Sequence, residues 1–463
     1  MEQKELIGSA VDTIVAVATP PGTGGIAVVR LSGPEALAIA DSVWRGKALS
    51  EVTSHTAHLG DILGEDGSPI DNAVATVFRG PRSFTGEDTV EFSLHGSRWI
   101  QRATVARLTA AGARAATAGE FTRRAFFNKR LDLAQAEAVA DLIAAESKAA
   151  HRLAMTQMSG SFSRKLESLR EQLVELASLL ELELDFSEEE VEFADRSRLL
   201  ALVQEVLDQI ERLVSTYRAG KAFKEGVPVA IAGRPNAGKS TLLNRLLGEE
   251  RAIVSDIPGT TRDVIEDTRE INGILFRFFD TAGLRDTDDT VERMGIDRAI
   301  GAIDRAAIVL WTIDATDVSV LDTELEKFHA RKKANPDRTY IALLNKSDLV
   351  GADRECGDWQ DVIHISAKSG TGCNRLETML GKAATREHDP EQELIVTNER
   401  HLAAMREGAE ALRRVKEGLA TGLPTDLVAQ DLREATRHLA AITGAITTPT
   451  LLSTIFSRFC VGK

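Results

Sequence analysis

The stretch Val227-Pro-Val-Ala-Ile-Ala-Gly-Arg-Pro-Asn-Ala-Gly-Lys-Ser240 leaves the chain few choices. An apolar, strand-like run enters Gly233, four residues pass, and Gly238, Lys239 and Ser240 open a helix-periodic segment through Leu247. This is the G-x-x-x-x-G-K-[ST] phosphate loop, and the strand before it and helix after it separate it from a chance match. Glycines let backbone N–H groups turn onto phosphate oxygens at the positive end of a helix. Lys239 is placed to reach the β- and γ-phosphates and the Ser240 hydroxyl to hold Mg²⁺. Residues Asn236, Ala237, Gly238, Lys239, Ser240 and Thr241 are therefore expected to contact a nucleoside triphosphate.

The strand ends that follow identify the nucleotide. Asp280-Thr281-Ala282-Gly283 closes one predicted strand, where a carboxylate and a backbone N–H can meet Mg²⁺ and the γ-phosphate. Asn345-Lys346-Ser347-Asp348 closes a second and Ser366-Ala367-Lys368 a third. An aspartate that accepts from two adjacent guanine donors rejects adenine, and Asp348 fits that role. Each tetrapeptide alone reads as an ordinary strand-end loop, but their order resembles the translation-factor-related GTPases and implies GTP. The segment Ser255-Asp256-Ile257-Pro258-Gly259-Thr260-Thr261 supplies a switch loop, with Thr261 as a second hydroxyl for Mg²⁺. Leu284 stands where Ras-type enzymes place a water-orienting glutamine, so hydrolysis needs another orienting group and another positive charge. Glu292 is a candidate for the first; read from the residues alone it is a helix N-terminal charge.

Around this core, 463 residues call for about three domains. Asp12–Gly33 reads as strand, tight turn and strand; Asn72–Phe78, Thr89–Leu94 and a helix over Ser97–Ala111 complete a small α+β unit. Arg30, Glu91 and Arg130 in it are, on their own, surface ion pairs. From about Leu131 long helix formers take over. Stripes run through Leu133, Ala136, Val139, Ala140 and Ile143, through Leu166, Leu169, Leu173, Leu176, Leu179 and Leu180, and through Leu199, Val203, Val206, Ile210, Leu213 and Tyr217. Between the last two, Ser187-Glu-Glu-Glu-Val-Glu192 reads as a solvated turn. The nucleotide domain then alternates strands and helices to about Thr385, with Asn272-Gly273 marking a hairpin. Helices resume over Asn398–Leu419, Asp426–Ile442 and Thr450–Phe459, so that both helical brackets are expected to pack as one bundle with the nucleotide domain inserted. A net charge of −14 argues against coating nucleic acid with the whole surface, while a local basic patch for one RNA remains open. Three cysteines make no disulfide framework or metal spacing, and without a leader or membrane-spanning run the expected location is cytoplasmic, with no membrane partner.

End to end, the sequence resembles the MnmE (TrmE) family of bacterial tRNA-modification GTPases. The carrying stretches are Thr19-Pro-Pro-Gly22, Ser83-Phe-Thr-Gly-Glu-Asp88, Gly119-Glu-Phe121, Leu131-Asp-Leu-Ala-Gln-Ala-Glu137, the phosphate loop, Asp280-Thr-Ala-Gly-Leu-Arg285 and the final Ile455-Phe-Ser-Arg-Phe-Cys-Val-Gly-Lys463. The resemblance implies a multidomain α/β plus all-α fold: an N-terminal α+β folate-binding and dimerisation domain over 1–125, a discontinuous helical bundle over 126–221 and 386–463, and an inserted Ras-like GTPase domain over 222–385. It implies a homodimer that works with an FAD- and NADH-using partner, MnmG, on tRNA. The implied product is a carboxymethylaminomethyl- or aminomethyl-type group at C5 of the wobble uridine, built from a 5-formyl- or methylene-tetrahydrofolate one-carbon unit. It implies K⁺ held by Asn236, Ser255, Ile257 and Thr260, where an arginine finger would otherwise sit. It makes Glu292 the water-orienting carboxylate and Arg30, Glu91, Arg130 and Lys463 folate contacts. Two departures touch that pocket: Arg130 stands where the family often has lysine, and Thr23 where it often has arginine or another polar residue. Cys460 is either a thiol that assists the one-carbon chemistry or a small apolar residue closing the last helix.

Two other functions compete with this one. An RNA- or ribosome-assembly switch of the Era or Der type would carry a GXXG RNA-binding domain or a second phosphate loop, and neither is found after Asp348. A freestanding folate enzyme with a regulatory GTPase attached would bind folate without any tRNA phenotype.

Overall fold

The computed structural model describes residues 12–185, 196–248, 266–280, 303–350, 361–386, 388–390 and 393–462. Two compact units emerge, one of Met1–Ala140, Gln157–Val206 and Glu407–Lys463, the other of Asp141–Thr156 and Leu207–Arg406.

The first unit begins with β1 (Ile14–Val17), β2 (Ile26–Ser32), α1 (Ala36–Val43), β3 (Trp44–Arg45), β4 (Thr56–Leu63), β5 (Pro69–Phe78), β6 (Thr89–His95), α2 (Arg98–Ala110), β7 (Arg114–Ala115) and α3 (Glu120–Phe127). The strands form one seven-stranded sheet in the order β3-β4-β5-β6-β2-β1-β7. Its pairs are antiparallel except β1 with β7. The expected hairpin is present, β1 lying antiparallel to β2 with Val15 opposite Leu31. Val15, Val29 and Leu31 pack with Ala36 and Ala40 of α1 in the core on one face. Ile14 and Ala16, one residue out of phase, meet Phe121 of α3 on the other. Neither α1 nor β4 is foreseen from the residues; Ile62 alone is fully buried in β4, so the strand has almost no apolar alternation to read.

Helices follow: α4 (Leu133–Ile143), α5 (Lys148–Met158), α6 (Ser161–Asp185), α7 (Arg196–Ser215) and α8 (Tyr217–Glu225). The expected α4 stripe is buried at Leu133 and Ala136, but Ile143, at the helix end, is exposed. Gly160, at φ 77°, separates α5 from α6. The acidic run 187–192 lies outside the described residues.

In the second unit β8 (Val227–Ala232), α9 (Lys239–Leu247), β9 (Glu266–Ile271), β10 (Ile274–Asp280), β11 (Ile308–Asp314), α10 (Val318–Ala334), β12 (Thr339–Asn345), β13 (Val362–His364) and α11 (Cys373–Ala384) form a six-stranded sheet with helices. Strand order is β13-β12-β11-β8-β10-β9, parallel except for the β9–β10 edge pair. Asn272 and Gly273 both take positive φ, 53° and 82°, as a two-residue hairpin turn requires. Val229 and Ile231 of β8 face one core with Leu242 and Leu376; Ala230 and Ala232 face the other with Phe328. Coverage on both faces is why these strands read as continuous apolar runs.

The chain closes with α12 (Glu399–Thr421), α13 (Thr425–Thr443) and α14 (Pro449–Phe456). Within the first unit α6 lies along α13, burying Leu166, Leu169, Leu173 and Leu176 from before the nucleotide domain and Val428, Leu432, Ala435 and Leu439 from after it. The bundle is thus discontinuous in sequence. The last helix stops at Phe456 rather than Phe459, with turns at Arg458 and Phe459 that leave Phe459 buried. Among the described residues no helix is long and apolar enough to cross a membrane.

Candidate functional site

The phosphate loop leaves β8 at Gly233, whose φ of 141° and closeness to β11 admit no side chain: a Cβ there would stand 2.1 Å from the Thr312 carbonyl oxygen. Asn236 takes φ 62°, and Gly238, at φ 92°, caps α9. The Lys239 ammonium donates to the carbonyls of Gly233 and Arg234, both at 2.8 Å, which holds it inside the turn of the loop. Asn236, Ser240 and Thr241 are exposed at the helix start. Beside the loop opens a cavity of about 310 Å³ lined by Asn236, Thr312, Asp314, Asp317 and Glu324 among others.

Asn345 ties three loops together. Its Nδ2 donates to the Ala237 carbonyl at 2.8 Å and its Oδ1 accepts from Ala367 N–H at 2.9 Å, with the residue buried throughout. Gly238 is glycine partly on this account, since a Cβ would come 2.2 Å from Asn345 Nδ2. Lys346 takes φ 63° and pairs with Asp314 at 2.5 Å. Burial raises the Asp314 carboxyl, and the hydrogen bonds from Lys346 and Thr316 outweigh that and hold it below the usual range. Asp348 is exposed in the turn Ser347–Leu349. Ser366 is buried, its hydroxyl accepting from Ser369 N–H at 3.1 Å, and Arg245 reaches the Ala367 and Lys368 carbonyls at 3.1 and 2.5 Å. The loops thus meet as a frame with the phosphate cradle on one side and an exposed aspartate on the other.

Other expected nucleotide and metal residues lie outside the described ones: Ser255, Asp256, Ile257, Pro258, Gly259, Thr260, Thr261, Thr281, Ala282, Gly283, Leu284 and Glu292, with the side chain of Asp280. Among the described residues no cluster of three or more His, Cys, Asp or Glu could hold a metal. Of the hydroxyls expected to hold Mg²⁺ only Ser240 is among the described residues, exposed at the N-terminus of α9.

In the first unit Arg30 and Glu91 face each other across β2 and β6, and Arg30 Nε donates to Glu91 Oε1 at 2.7 Å. The guanidinium lies 5.4 Å from the Phe84 ring centre and 5.6 Å from that of Phe121. Arg130 lies against Gly86, where an added Cβ would stand 3.1 Å from the Arg130 Cγ. A half-buried carboxylate, a guanidinium and a half-exposed aromatic ring suit a flat, amide-bearing heterocycle. The segment carrying Cys460 docks on this domain: Val461 bridges to Ala118, and Gly119 N–H donates to the Cys460 carbonyl at 3.3 Å. Cys460 itself is exposed, and Lys463 lies outside the described residues.

An ion network went unnoticed in the sequence. The buried Glu120 takes Arg114 Nη2 at 2.6 Å and Arg124 Nη2 at 3.3 Å, while Arg114 and Arg124 also hold Asp12. Burial pushes the Glu120 carboxyl up, but the Arg114 hydrogen bond, the Thr117 N–H and the charges of Arg114 and Arg124 outweigh it and bring it down from 4.5 to about 2. The only signal was local, Thr117-Ala-Gly-Glu120, the pattern of a carboxylate reaching back to a threonine.

A parallel sheet with one antiparallel edge, a phosphate loop and a base-side frame tied by Asn345 define a P-loop GTPase domain of the Ras-like type, carried between halves of a helical bundle. The family model described as "MnmE helical domain" matches residues 133–460, and "GTP-binding protein TrmE N-terminus" matches 13–130. A protein of Parabacteroides distasonis named "tRNA modification GTPase MnmE" is 47% identical over 463 residues, covering 97% of this chain and all of its own. Proteins of the same name from Cytophaga hutchinsonii and Porphyromonas gingivalis are 47% and 49% identical, each alignment covering 98% of both chains. The chain belongs to the MnmE family of tRNA-modification GTPases.

Proposed function

We propose that this protein is a K⁺-stimulated, Mg²⁺-dependent GTPase that modifies C5 of the wobble uridine in certain tRNAs together with an FAD-dependent partner of the MnmG kind. The observation that carries the reading is the union, in one chain, of a GTP frame built on Asn345 and an N-terminal domain on which the Cys460 segment is seated beside the sheet of Arg30 and Glu91. Full-length relatives that bear the tRNA-modification name support it. In this proposal Lys239 neutralises phosphate charge, Asp348 reads guanine, Asn236 contributes to a K⁺ site and Glu292 orients the attacking water. With Leu284 unable to hydrogen-bond water, some other group must do that, and a carboxylate can. Arg30, Glu91, Arg130 and Lys463 hold a tetrahydrofolate that supplies the one-carbon unit, and the chain acts as a cytoplasmic homodimer joined through its 1–125 domain. The division into 1–125, 126–221, 222–385 and 386–463 is part of this proposal.

The test is mass spectrometry of wobble nucleosides from a strain lacking the gene, with and without the gene restored. Loss of C5-substituted uridine that returns on complementation is the expected result. Unchanged nucleosides would overturn the proposal.

A further inference from the structure

The Cys460 segment sits on a seat made by three residues, and that seat has its own support. Ala118 bridges Val461, and the Gly119 N–H donates to the Cys460 carbonyl. Gly119, at φ 65°, lies so close under α14 that a Cβ would stand 2.5 Å from the Phe456 carbonyl oxygen and 3.0 Å from the Phe459 Cβ. Farther along, Gly462 lies against β1, where a Cβ would meet the Val17 carbonyl oxygen at 2.1 Å. The seat works only if Thr117–Gly119 keeps one shape. Nothing in the turn's own composition compels that, since an Ala-Gly pair has much backbone freedom.

Glu120 supplies the constraint. Its Oε2 accepts from Thr117 N–H at 2.8 Å and from the Thr117 hydroxyl at 3.1 Å. The same carboxylate is gripped by both terminal nitrogens of Arg114, at 2.6 and 3.1 Å, and the Arg114 backbone N–H donates to the Thr13 carbonyl at 2.8 Å. A planar two-point contact of this kind fixes orientation as well as distance. The chain of contacts therefore runs from the sheet edge through Arg114 to Glu120, from Glu120 to the 117–119 turn, and from the turn to the segment bearing Cys460.

We infer that Glu120 is a positioning residue for the modification reaction, acting through the Thr117–Gly119 turn to hold the Cys460 segment where the N-terminal domain needs it. This rests on the proposed function for the reaction itself, but the seat can be measured without it. The experiment is hydrogen exchange on the full chain, comparing wild type with Glu120→Gln, which keeps size and loses charge. Exchange at Gly119 and across 457–462 should rise roughly tenfold or more, as loss of a charge-assisted contact allows. Strands β2, β5 and β6 should keep their protection and GTP hydrolysis its rate, while wobble modification falls. Should Glu120→Gln fold poorly, Arg114→Lys retains the charge but gives up the two-point grip, and a smaller rise at the same amides is expected.

Unchanged exchange at Gly119 and 457–462 overturns the inference, as does loss of protection across the whole 13–130 domain, which would make Glu120 a general stabiliser. The closing comparison is with a chain truncated at Phe459. If truncation abolishes modification and Glu120→Gln frees the segment without affecting modification, the inference fails and the proposed role of the segment stands. If truncation also leaves modification normal, the proposed role fails with it.

Discussion

Asn345→Ala isolates the coupling inside the GTP frame. The side chain is 2% exposed and makes two hydrogen bonds, to the Ala237 carbonyl at 2.8 Å and from Ala367 N–H at 2.9 Å. Truncation leaves both backbone groups without that partner, at roughly 1–3 kcal/mol each, or about 2–6 kcal/mol together. In the free protein the phosphate loop and the 366–368 loop can relax toward water, so the cost falls on the nucleotide-bound state, which needs both loops in register. Even the lower bound of about 2 kcal/mol is roughly a thirtyfold loss of affinity. Titration of the full chain with a fluorescent GDP analogue measures it directly. Asn345→Asp sharpens the test: size is kept, but an oxygen now faces the Ala237 carbonyl, and affinity should fall at least as far. Should either variant bind within about threefold of wild type, Asn345 does not couple the loops and the reasoning is wrong.

Four further outcomes are expected. GTP hydrolysis should rise strongly with K⁺ and little with Na⁺ at matched ionic strength; equal rates would remove Asn236 from a cation site. Glu292→Ala should leave GTP affinity nearly unchanged and cut turnover by orders of magnitude in single-turnover assays, because positioning groups of this kind are worth several kcal/mol. Glu120, held at about 2 against an ordinary 4.5, contributes stability that is fully present above 4.5 and is lost as pH falls toward 2. That is up to about 3 kcal/mol, so protection at Gly119 and across 457–462, taken relative to the intrinsic exchange rate at each pH, should fall between about pH 4.5 and pH 2 in wild type and change much less in Glu120→Gln, while β2, β5 and β6 keep theirs. Truncating Cys460 to Lys463 should abolish wobble modification and spare K⁺-stimulated hydrolysis; Cys460→Ser, if it modifies tRNA normally, assigns the segment a structural role and the thiol none.

What the sequence disclosed, and what it withheld, divides along the range of the interactions. The phosphate loop was legible because its chemistry is local: Gly233, Gly238, Lys239 and Ser240 must be spaced as they are for the backbone to wrap a phosphate. Asn272-Gly273 was legible for the same reason, both residues having to take positive φ. The parallel sheet could be read from its continuous apolar strands, whereas β4 escaped because only Ile62 is fully buried in it. Asn345, by contrast, was recognised as part of a tetrapeptide and not as the tie between Ala237 and Ala367, residues 108 and 22 positions away.

The same distinction explains Arg30 and Glu91, and it sets the Cys460 segment apart from both. Opposite charges on two strands mean nothing until the register is known, and only the pairing of β2 with β6 puts these two face to face. Once paired and half-buried beside Phe84, they are no longer the dispensable surface contact that the residues alone suggested. Phe456 and Phe459 bury against Leu133 and Ala136, so that apolar contact anchors the segment up to Phe459. Beyond Phe459 the apolar contacts end: Cys460 and Val461 are exposed, and the backbone meets Gly119 and, at the buried Gly462, comes close to Val17. A segment fixed by backbone contacts alone holds its position only as well as the backbone it rests on. In this protein part of that backbone is the Thr117–Gly119 turn, which one buried carboxylate holds through the Thr117 N–H and hydroxyl in an otherwise permissive sequence.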